Sequence, residues 1–550
     1  MLKTARFIAA AGLATLLAGC ATPPPPPLKV QVLAINDFHG NLLPPAAFRM
    51  PDPANPGKTL QIPVGGAEAL ATAVKQLRQD RPHHVFVAAG DLIGGSPLIS
   101  ALFLDEATLE SLTVMGLHLS AVGNHEFDRG QDELMRRQNG GCHSVEGCKG
   151  PRPFKGAGFQ YLAASTIVES TGKPLLPPYQ IRRFDGVPVG FIGLTTKTTP
   201  TLVMPTGVTG LRFDDEAETV NRLVPELKAQ GVEAIVVLIH EGGHPTGGHN
   251  ECPAISGPIV DIVKRMDKAV DAVITGHTHR AYTCRIDGRL VTSGDKYGSM
   301  ITDIELTIDR RSRDVVASSA SNVLVRLDQY GKDPEQTALL AGYLERAKPL
   351  TERVVGRLAA EVKANAGDPA GASPMGQLLA DAQLAATRDA GAQIALMNNC
   401  GIRTGLAMRD DGRVTFEDLF TSQPFGNQLI TMTLSGAELI GLLQRQFRSD
   451  HLCNRLQLSQ GFSYTWDAAR PQGERVLPES VRLHGQPLQP DASYRVTVNA
   501  FMAVGGDSFT EFLRGRDRRT GPTDIEAIEV WVRSQGAISP PPLDRIRRLN

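Results

Sequence analysis

The chain carries almost no net charge: 57 Lys and Arg stand against 58 Asp and Glu in 550 residues, a formal charge of -1. No run of basic residues disturbs that balance. Binding a nucleic-acid polymer calls for a basic face, so no such partner is expected. After the first twenty residues no apolar stretch approaches the roughly 20 residues that a bilayer-spanning helix needs. No repeat relates the two halves of the chain. Cysteine is sparse, with seven in all.

What is present begins with an export signal. Lys3 and Arg6 precede an apolar run over residues 7–17, too short to span a membrane comfortably. The run ends Leu17-Ala18-Gly19-Cys20, which resembles a bacterial lipoprotein signal; an ordinary secretory signal is the alternative. The resemblance implies cleavage after residue 19 and lipidation of Cys20, with prolines 23–27 as a stiff spacer in a tether over 20–27. The expected product is an exported bacterial lipoprotein of the outer membrane, facing the periplasm or the cell surface, that touches membrane only through its lipid. Six cysteines remain: Cys142, Cys148, Cys252, Cys284, Cys400 and Cys453. An even number in an exported chain suggests disulfides. Sequence proximity suggests 142–148, 252–284 and 400–453, among fifteen formal pairings. A zinc site using His143 with two cysteines is the rival reading.

The mature chain, about 530 residues, exceeds what one core supports, so two or more domains are expected. Strand patterns at 28–35, 84–89, 117–122, 234–239 and 269–274 alternate with helical patterns at 65–77, 105–115, 214–228 and 258–266. Residues 42–63 are rich in proline and read as a surface loop. Residues 180–194 read as a hairpin turning at Asp185-Gly186, and 291–308 as alternating strands. A charged helical stretch at 333–353 has no evident sheet partner and reads as a linker helix within 326–356. A second αβ unit follows, with helices at 374–390 and 436–447, the latter capped by Ser435, and strands at 392–397 and 494–499. The expected fold class is α/β (α+β).

Each of five apolar strands ends in polar residues: Asp37 and His39, Asp91, Asn124 and His125, His240, then His277 and His279. Gly-Asp is a frequent turn and a lone histidine is ordinary. Five such clusters, all at strand ends, are not. Ligands collect at the carboxyl ends of strands in open α/β sheets. Carboxylate oxygen with imidazole nitrogen suits zinc, manganese, iron or cobalt, and affinity order does not choose among them. Seven side chains are too many for one tetrahedral ion but suit two ions about 3.5–4 Å apart. Asp91, alone on a short turn between clusters, is the expected bridge. His83, His118, His244 and His249 are expected to be structural or exposed.

Asp37-x-His39, Gly90-Asp91, Gly123-Asn124-His125-Glu126, His240 and Gly276-His277-x-His279 resemble the calcineurin-like metallophosphoesterase signature in order and spacing. The continuation Phe127-Asp128 narrows the resemblance to the 5′-nucleotidase and UDP-sugar hydrolase family, over residues 28–535. That resemblance implies a four-layer α/β/β/α sandwich over 28–325, then the linker helix, then a substrate-binding αβ domain over 357–550. It assigns one metal to Asp37, His39, Asp91 and His279, and the other to Asp91, Asn124, His240 and His277. His125 and Asp128 match the dyad that stabilises the phosphoryl group and leaving oxygen. Glu126 receives no catalytic role. The implied reaction is hydrolysis of nucleoside 5′-monophosphates by water activated between two metals. The alternatives are hydrolysis of 2′,3′-cyclic nucleotides and 3′-nucleotides or of UDP-sugars, and, in a different class, a non-catalytic nucleotide-binding lipoprotein.

In the second domain, Asn398-Asn399-Cys400-Gly401-Ile402-Arg403, Pro424-Phe425-Gly426-Asn427 and Phe501…Gly505-Gly506-Asp507 read as turns on composition alone. The resemblance makes Phe425 and Phe501 the rings that sandwich a base, Arg403 the phosphate- or sugar-contacting group, and Asn398 and Asp507 their polar companions. Some family members carry another arginine where this chain has Gly371-Ala372-Ser373.

Overall fold

The computed structural model describes residues 26–550 except 46, 53, 54, 56, 366 and 449–453. The expected signal over 1–19, Cys20 and Cys453 lie outside the described residues. Among the described residues, no helix is long and apolar enough to cross a membrane.

The first half of the chain builds two six-stranded sheets. One contains β1 (Leu28–Ile35), β2 (His84–Ala88), β3 (Leu119–Ala121) and β4 (Gln160–Leu162). The second is made by β5 (Tyr179–Phe184), β6 (Val187–Thr195), β7 (Ala234–His240), β8 (Ala272–Thr275), β9 (Ala281–Ile286) and β10 (Arg289–Gly294). β11 (Met300–Ile308) and β12 (Val315–Leu324) return to the first sheet. The orders are β12-β11-β1-β2-β3-β4 and β9-β10-β8-β7-β6-β5. Around β1 and β7 the pairing is mostly parallel, which leaves the strand ends that carry the polar clusters side by side.

The continuous apolar runs are explained by burial on both faces. In β1, Val30, Val32 and Ala34 join a core between the sheets, together with Val236 and Leu238 of β7. The alternate residues Leu33 and Ile35 pack outward beneath α1 (Ala67–Leu77) and α2 (Glu106–Met115). On the far side Ile235, Val237 and Ile239 of β7 pack beneath α3 (Glu216–Ala229) and α4 (Pro258–Arg265). The result is the α/β/β/α sandwich. Each buried Val, Leu or Ile side chain contributes about 1.5–3 kcal/mol by leaving water.

Local signals set the turns. Asp185 (φ 47°) and Gly186 (φ 82°) are both left-handed, as a two-residue hairpin joining right-twisted strands requires. Asp215 caps α3 through bonds to the backbone of Ala217 and Glu218. The 42–63 segment departs from expectation: Phe48–Pro51 pairs with Thr59–Ile62 in a small hairpin. The strand expected at 269–274 starts only at Ala272, because the Asp271 carboxylate accepts the Ile235 N–H at 2.8 Å and Val270 closes a turn on Asp267.

The charged stretch forms α5 (Pro334–Thr351), capped by Asp333. It is more than a connector. Leu339, Leu340, Tyr343 and Ala347 belong to the outer core of the first sheet, and the Ser111 hydroxyl donates to Gln336 at 2.7 Å.

Beyond it lie α6 (Pro374–Ala386), β13 (Ile394–Asn398), β14 (Gln428–Ser435), α7 (Gly436–Arg445), β15 (Leu456–Leu458), β16 (Ser493–Asn499), β17 (Arg516–Thr523) and α8 (Asp524–Ser534). Their sheet order is β15-β13-β16-β14-β17. Ser435 and Glu438 form a reciprocal capping box at α7. The tail gives a strand at Ile546–Leu549, parallel to Phe462–Asp467, where no pattern was legible. Disulfides join Cys142 to Cys148 and Cys252 to Cys284, so the first pair closes on itself rather than on zinc with His143. Cys400 is also disulfide-bonded.

Candidate active site

Five adjacent loops bring the predicted polar groups to one end of the two sheets. Their backbones are laddered: Asp37 N–H donates to Gly90 O at 3.1 Å, and His39 N–H to Asp91 O at 3.0 Å. Asp37 (φ 49°), His39 (46°), Asp91 (50°), His277 (69°) and His279 (52°) all take the left-handed backbone. For residues with a side chain that conformation is costly and persists where surroundings enforce it. Two glycines make the crowding possible. A Cβ on Gly123 would lie 2.1 Å from Asp91 Oδ1, and one on Gly90 would lie 2.8 Å from His240 Nδ1.

Asp37, His39, Asp91, Asn124 and His240 are almost wholly buried. His39 Nδ1 donates to Gly94 O at 2.7 Å and His240 Nδ1 to Ala89 O at 2.8 Å, since a carbonyl can only accept. Both rings therefore turn Nε2 into the site. His240 Nε2 lies 3.0 Å from Asp91 Oδ2 and 3.1 Å from Asn124 Oδ1. His39 Nε2 lies 3.6 Å from the same Asp91 oxygen and 3.1 Å from His279 Nε2, which is 3.3 Å from Asp37 Oδ1. The His240 and His277 rings meet at 5.2 Å. Asp37, His39 and His279 thus form one group able to hold a cation, and Asp91, His240 and His277 another.

Burial keeps His39 and His277 below the usual imidazole range and takes His279 down to about 4. Burial would raise Asp37, but the neighbouring His279 outweighs it and holds the carboxyl at about 2. Burial also opposes a proton on His240, yet the Asp91 carboxylate pushes the ring up to about 10. Imidazole nitrogens and carboxylate oxygens converge in two groups. This donor set fits divalent cations.

His125 behaves differently. A short 3₁₀ turn, His125–Phe127, starts after Asn124 and sets His125 and Asp128 on one face. His125 Nδ1 donates to Asp128 Oδ2 at 2.8 Å. Its Nε2 receives Arg403 Nη2 of the second domain at 3.0 Å. Both ring nitrogens are engaged, although the ring also stands near His39 and Asp91. Burial disfavours its charge, but Asp128 and Asp91 together raise its pKa above the usual value.

The second domain closes the site. The Arg403 guanidinium lies 5.1 Å over the Phe425 ring, and Phe425 stacks on His125 with centroids 6.1 Å apart. A Cβ on Gly95 would lie 2.8 Å from Arg403 Nη2, so the glycine makes room for the arginine. Asn398 donates to Asp507 Oδ2 at 2.8 Å and accepts from Asn499 at 2.9 Å. Burial lifts Asp507 to about 6. Phe501 lies across Gly506, whose Cβ would meet the ring at 2.6 Å. Two of the expected histidine bystanders make contacts away from the site: His118 accepts the Phe86 N–H at 3.2 Å, and the His249 ring meets Phe48 edge-on.

Sequence reasoning missed three contributors. Asn36 donates to Asp37 Oδ2 at 2.6 Å while accepting Gly294 N–H, which ties β1 to β10. Tyr297, also left-handed at φ 59°, sets its ring against His39 and His279. Glu126 binds backbone rather than substrate. The only signal for Asn36 was its place one residue before Asp37.

Comparison with known proteins agrees with this geometry. The calcineurin-like phosphoesterase pattern matches residues 30–281, and the 5′-nucleotidase C-terminal domain pattern matches 354–514. Endonuclease YhcR of Bacillus subtilis is 34% identical over 522 residues, covering 93% of this chain and 40% of that protein. Cell wall protein Lmo0130 of Listeria monocytogenes is 30% identical over 543 residues, covering 93% of this chain and 68% of its own length. The crystal structure of a 5′-nucleotidase precursor from Thermus thermophilus superposes with a TM-score of 0.78 at 26% identity, over 95% of this chain and all of that one. With both patterns in sequence on one chain and the fold to match, this protein belongs to the two-domain 5′-nucleotidase family of calcineurin-like phosphoesterases, a family of hydrolases.

Proposed function

We propose that the chain hydrolyses nucleoside 5′-monophosphates to nucleoside and phosphate, with divalent ions held by Asp37, His39, Asp91 and His279 and by Asp91, Asn124, His240 and His277. One observation carries the reading. The second domain sets a guanidinium and a phenyl ring directly on His125, beside the metal-ligating residues. A phosphate entering there meets Arg403 and His125 at once, and a base has Phe425 within reach of stacking.

Ions in these sites would lower the pKa of water toward 7 and neutralise phosphoryl charge. The remaining work falls to side chains. Asp91 Oδ2 is shared by both groups and is the natural bridge. Asp128 holds Nδ1–H of His125 and favours the imidazolium, whose second proton, on Nε2, faces the leaving oxygen once Arg403 has turned to the phosphate. Arg403 gives up its bond to His125 and pairs with the phosphate instead. Phe425 and Phe501 bind the base by offset stacking, which tolerates any base. The proposed domains are 28–325 and 357–550, joined through 326–356, whose helix packs on the first of them; anchoring through Cys20 rests separately on the lipoprotein-like signal.

The test is phosphate release from AMP, UDP-glucose and 2′,3′-cyclic AMP, with single-stranded DNA as a fourth substrate, before and after EDTA treatment. AMP should be the best substrate and EDTA should stop the reaction. Faster cleavage of the polymer, or indifference to the chelator, refutes the proposal. Release of a Cys20→Ala protein from membranes that retain the unaltered protein tests the anchor.

A further inference from the structure

Glu126 is fully buried, and its carboxylate is spent on backbone. Oε2 accepts the N–H of Asp91 at 3.0 Å and of Gly123 at 2.6 Å, and Oε1 accepts the N–H of Leu92 at 2.9 Å. The Tyr161 hydroxyl stands behind, 3.5 Å from Oε1. Two of these donors belong to the turn after β2 and the third to the loop after β3. Asp91 makes the reciprocal link: its Oδ1 accepts the N–H of His125 at 2.9 Å. The two loops are therefore stapled in both directions. That leaves Asp91 Oδ2 as the oxygen facing His39 and His240.

We propose that Glu126 is a positioning residue for the metal pair: by gathering the N–H groups of Asp91, Leu92 and Gly123 it holds the left-handed Asp91 turn so that one carboxylate oxygen points between the two ligand groups. Only a carboxylate suits three converging donors, because it accepts on both oxygens. Glutamine would turn an NH₂ group against at least one of them. Aspartate keeps the charge but is a methylene too short to reach both loops. The inference rests on the two-ion reading above.

The test uses metal-stripped protein titrated with Mn²⁺ and followed by electron paramagnetic resonance. The unaltered protein should take up two ions and show the exchange-coupled spectrum of a bridged pair. Glu126→Gln should stay folded by circular dichroism, bind Mn²⁺ about 10–100-fold more weakly, as outer partners of ligands do, and lose the coupled signal. Its kcat for AMP should fall while KM holds, and Glu126→Asp should lie between the two proteins. A Glu126→Gln protein with unaltered Mn²⁺ uptake and coupling, and only a lower melting temperature, overturns the proposal. So does failure of both variants to fold, which would make the role structural alone. If the unaltered protein itself takes up fewer than two ions or shows no coupling, the two-ion reading falls first and takes the bridge with it.

Discussion

The two sides of the active cleft are built by different means. On the metal side, five of the seven expected ligands sit in left-handed backbone, and Asp37, His39, Asp91, Asn124 and His240 are almost wholly buried. On the substrate side, Arg403, Phe425 and Phe501 are half-buried, and of the five expected contacts only Asp507 has a left-handed φ, 50°. Strain of about 1–3 kcal/mol per residue is kept only where neighbours over-determine it. The first side is thus fixed in advance for chemistry. The second side reaches in through side chains whose partners can be exchanged when a ligand arrives.

Four measurements would sharpen or break that contrast. The largest effect is expected from Asp91→Ala, which removes the oxygen that faces both His39 and His240 and that the proposal makes the bridge. Turnover should drop by more than about 10³-fold with loss of bound metal, and a variant that kept its metal would show the ion sites to be independent. Next, His125→Ala should keep its metal content and lose about 10²–10⁴-fold in kcat, so loss of metal would move His125 to the ligand set. Third, Arg403→Ala should raise KM for AMP about 10–100-fold through one lost charged hydrogen bond, with metal uptake untouched. A kcat loss as large as that of His125→Ala would erase the distinction between the sides. The smallest effect concerns pH. Asp128 and Asp91 raise His125 above its ordinary value against burial, so the ring keeps its proton to higher pH than a free imidazole. Asp128→Asn removes one of those charges, and the alkaline limb of kcat should move to lower pH. A limb that stays in place would mean that another group sets it.

The gathering of the candidate ligands was legible because they fall at the ends of apolar strands, where one-dimensional pattern and three-dimensional position coincide. Asp37, Asp91 and His240 could be found that way. The order of the strands could not, since β3 and β4 are three residues each and offer no alternation to read. Glu126 stood in plain sight within the motif, but its partners are backbone N–H groups on another loop, which no side-chain pattern encodes. Phe425 was read as a base-stacking ring, and its contact with His125 emerged only when two domains met. Asn36 was hidden for a related reason: its partner Gly294 is 258 residues away.

Helix α5 bears on how the cleft operates. Because Leu339, Leu340, Tyr343 and Ala347 are packed into the first domain's core, the helix belongs to that domain as a rigid part. The chain passes to the second domain just past Thr351, where Glu352 closes the helix and Arg353 pairs with Glu529 of α8. The bond from Arg403 to His125 is therefore made between two domains that are joined, at this point of the chain, by Glu352 and Arg353 alone.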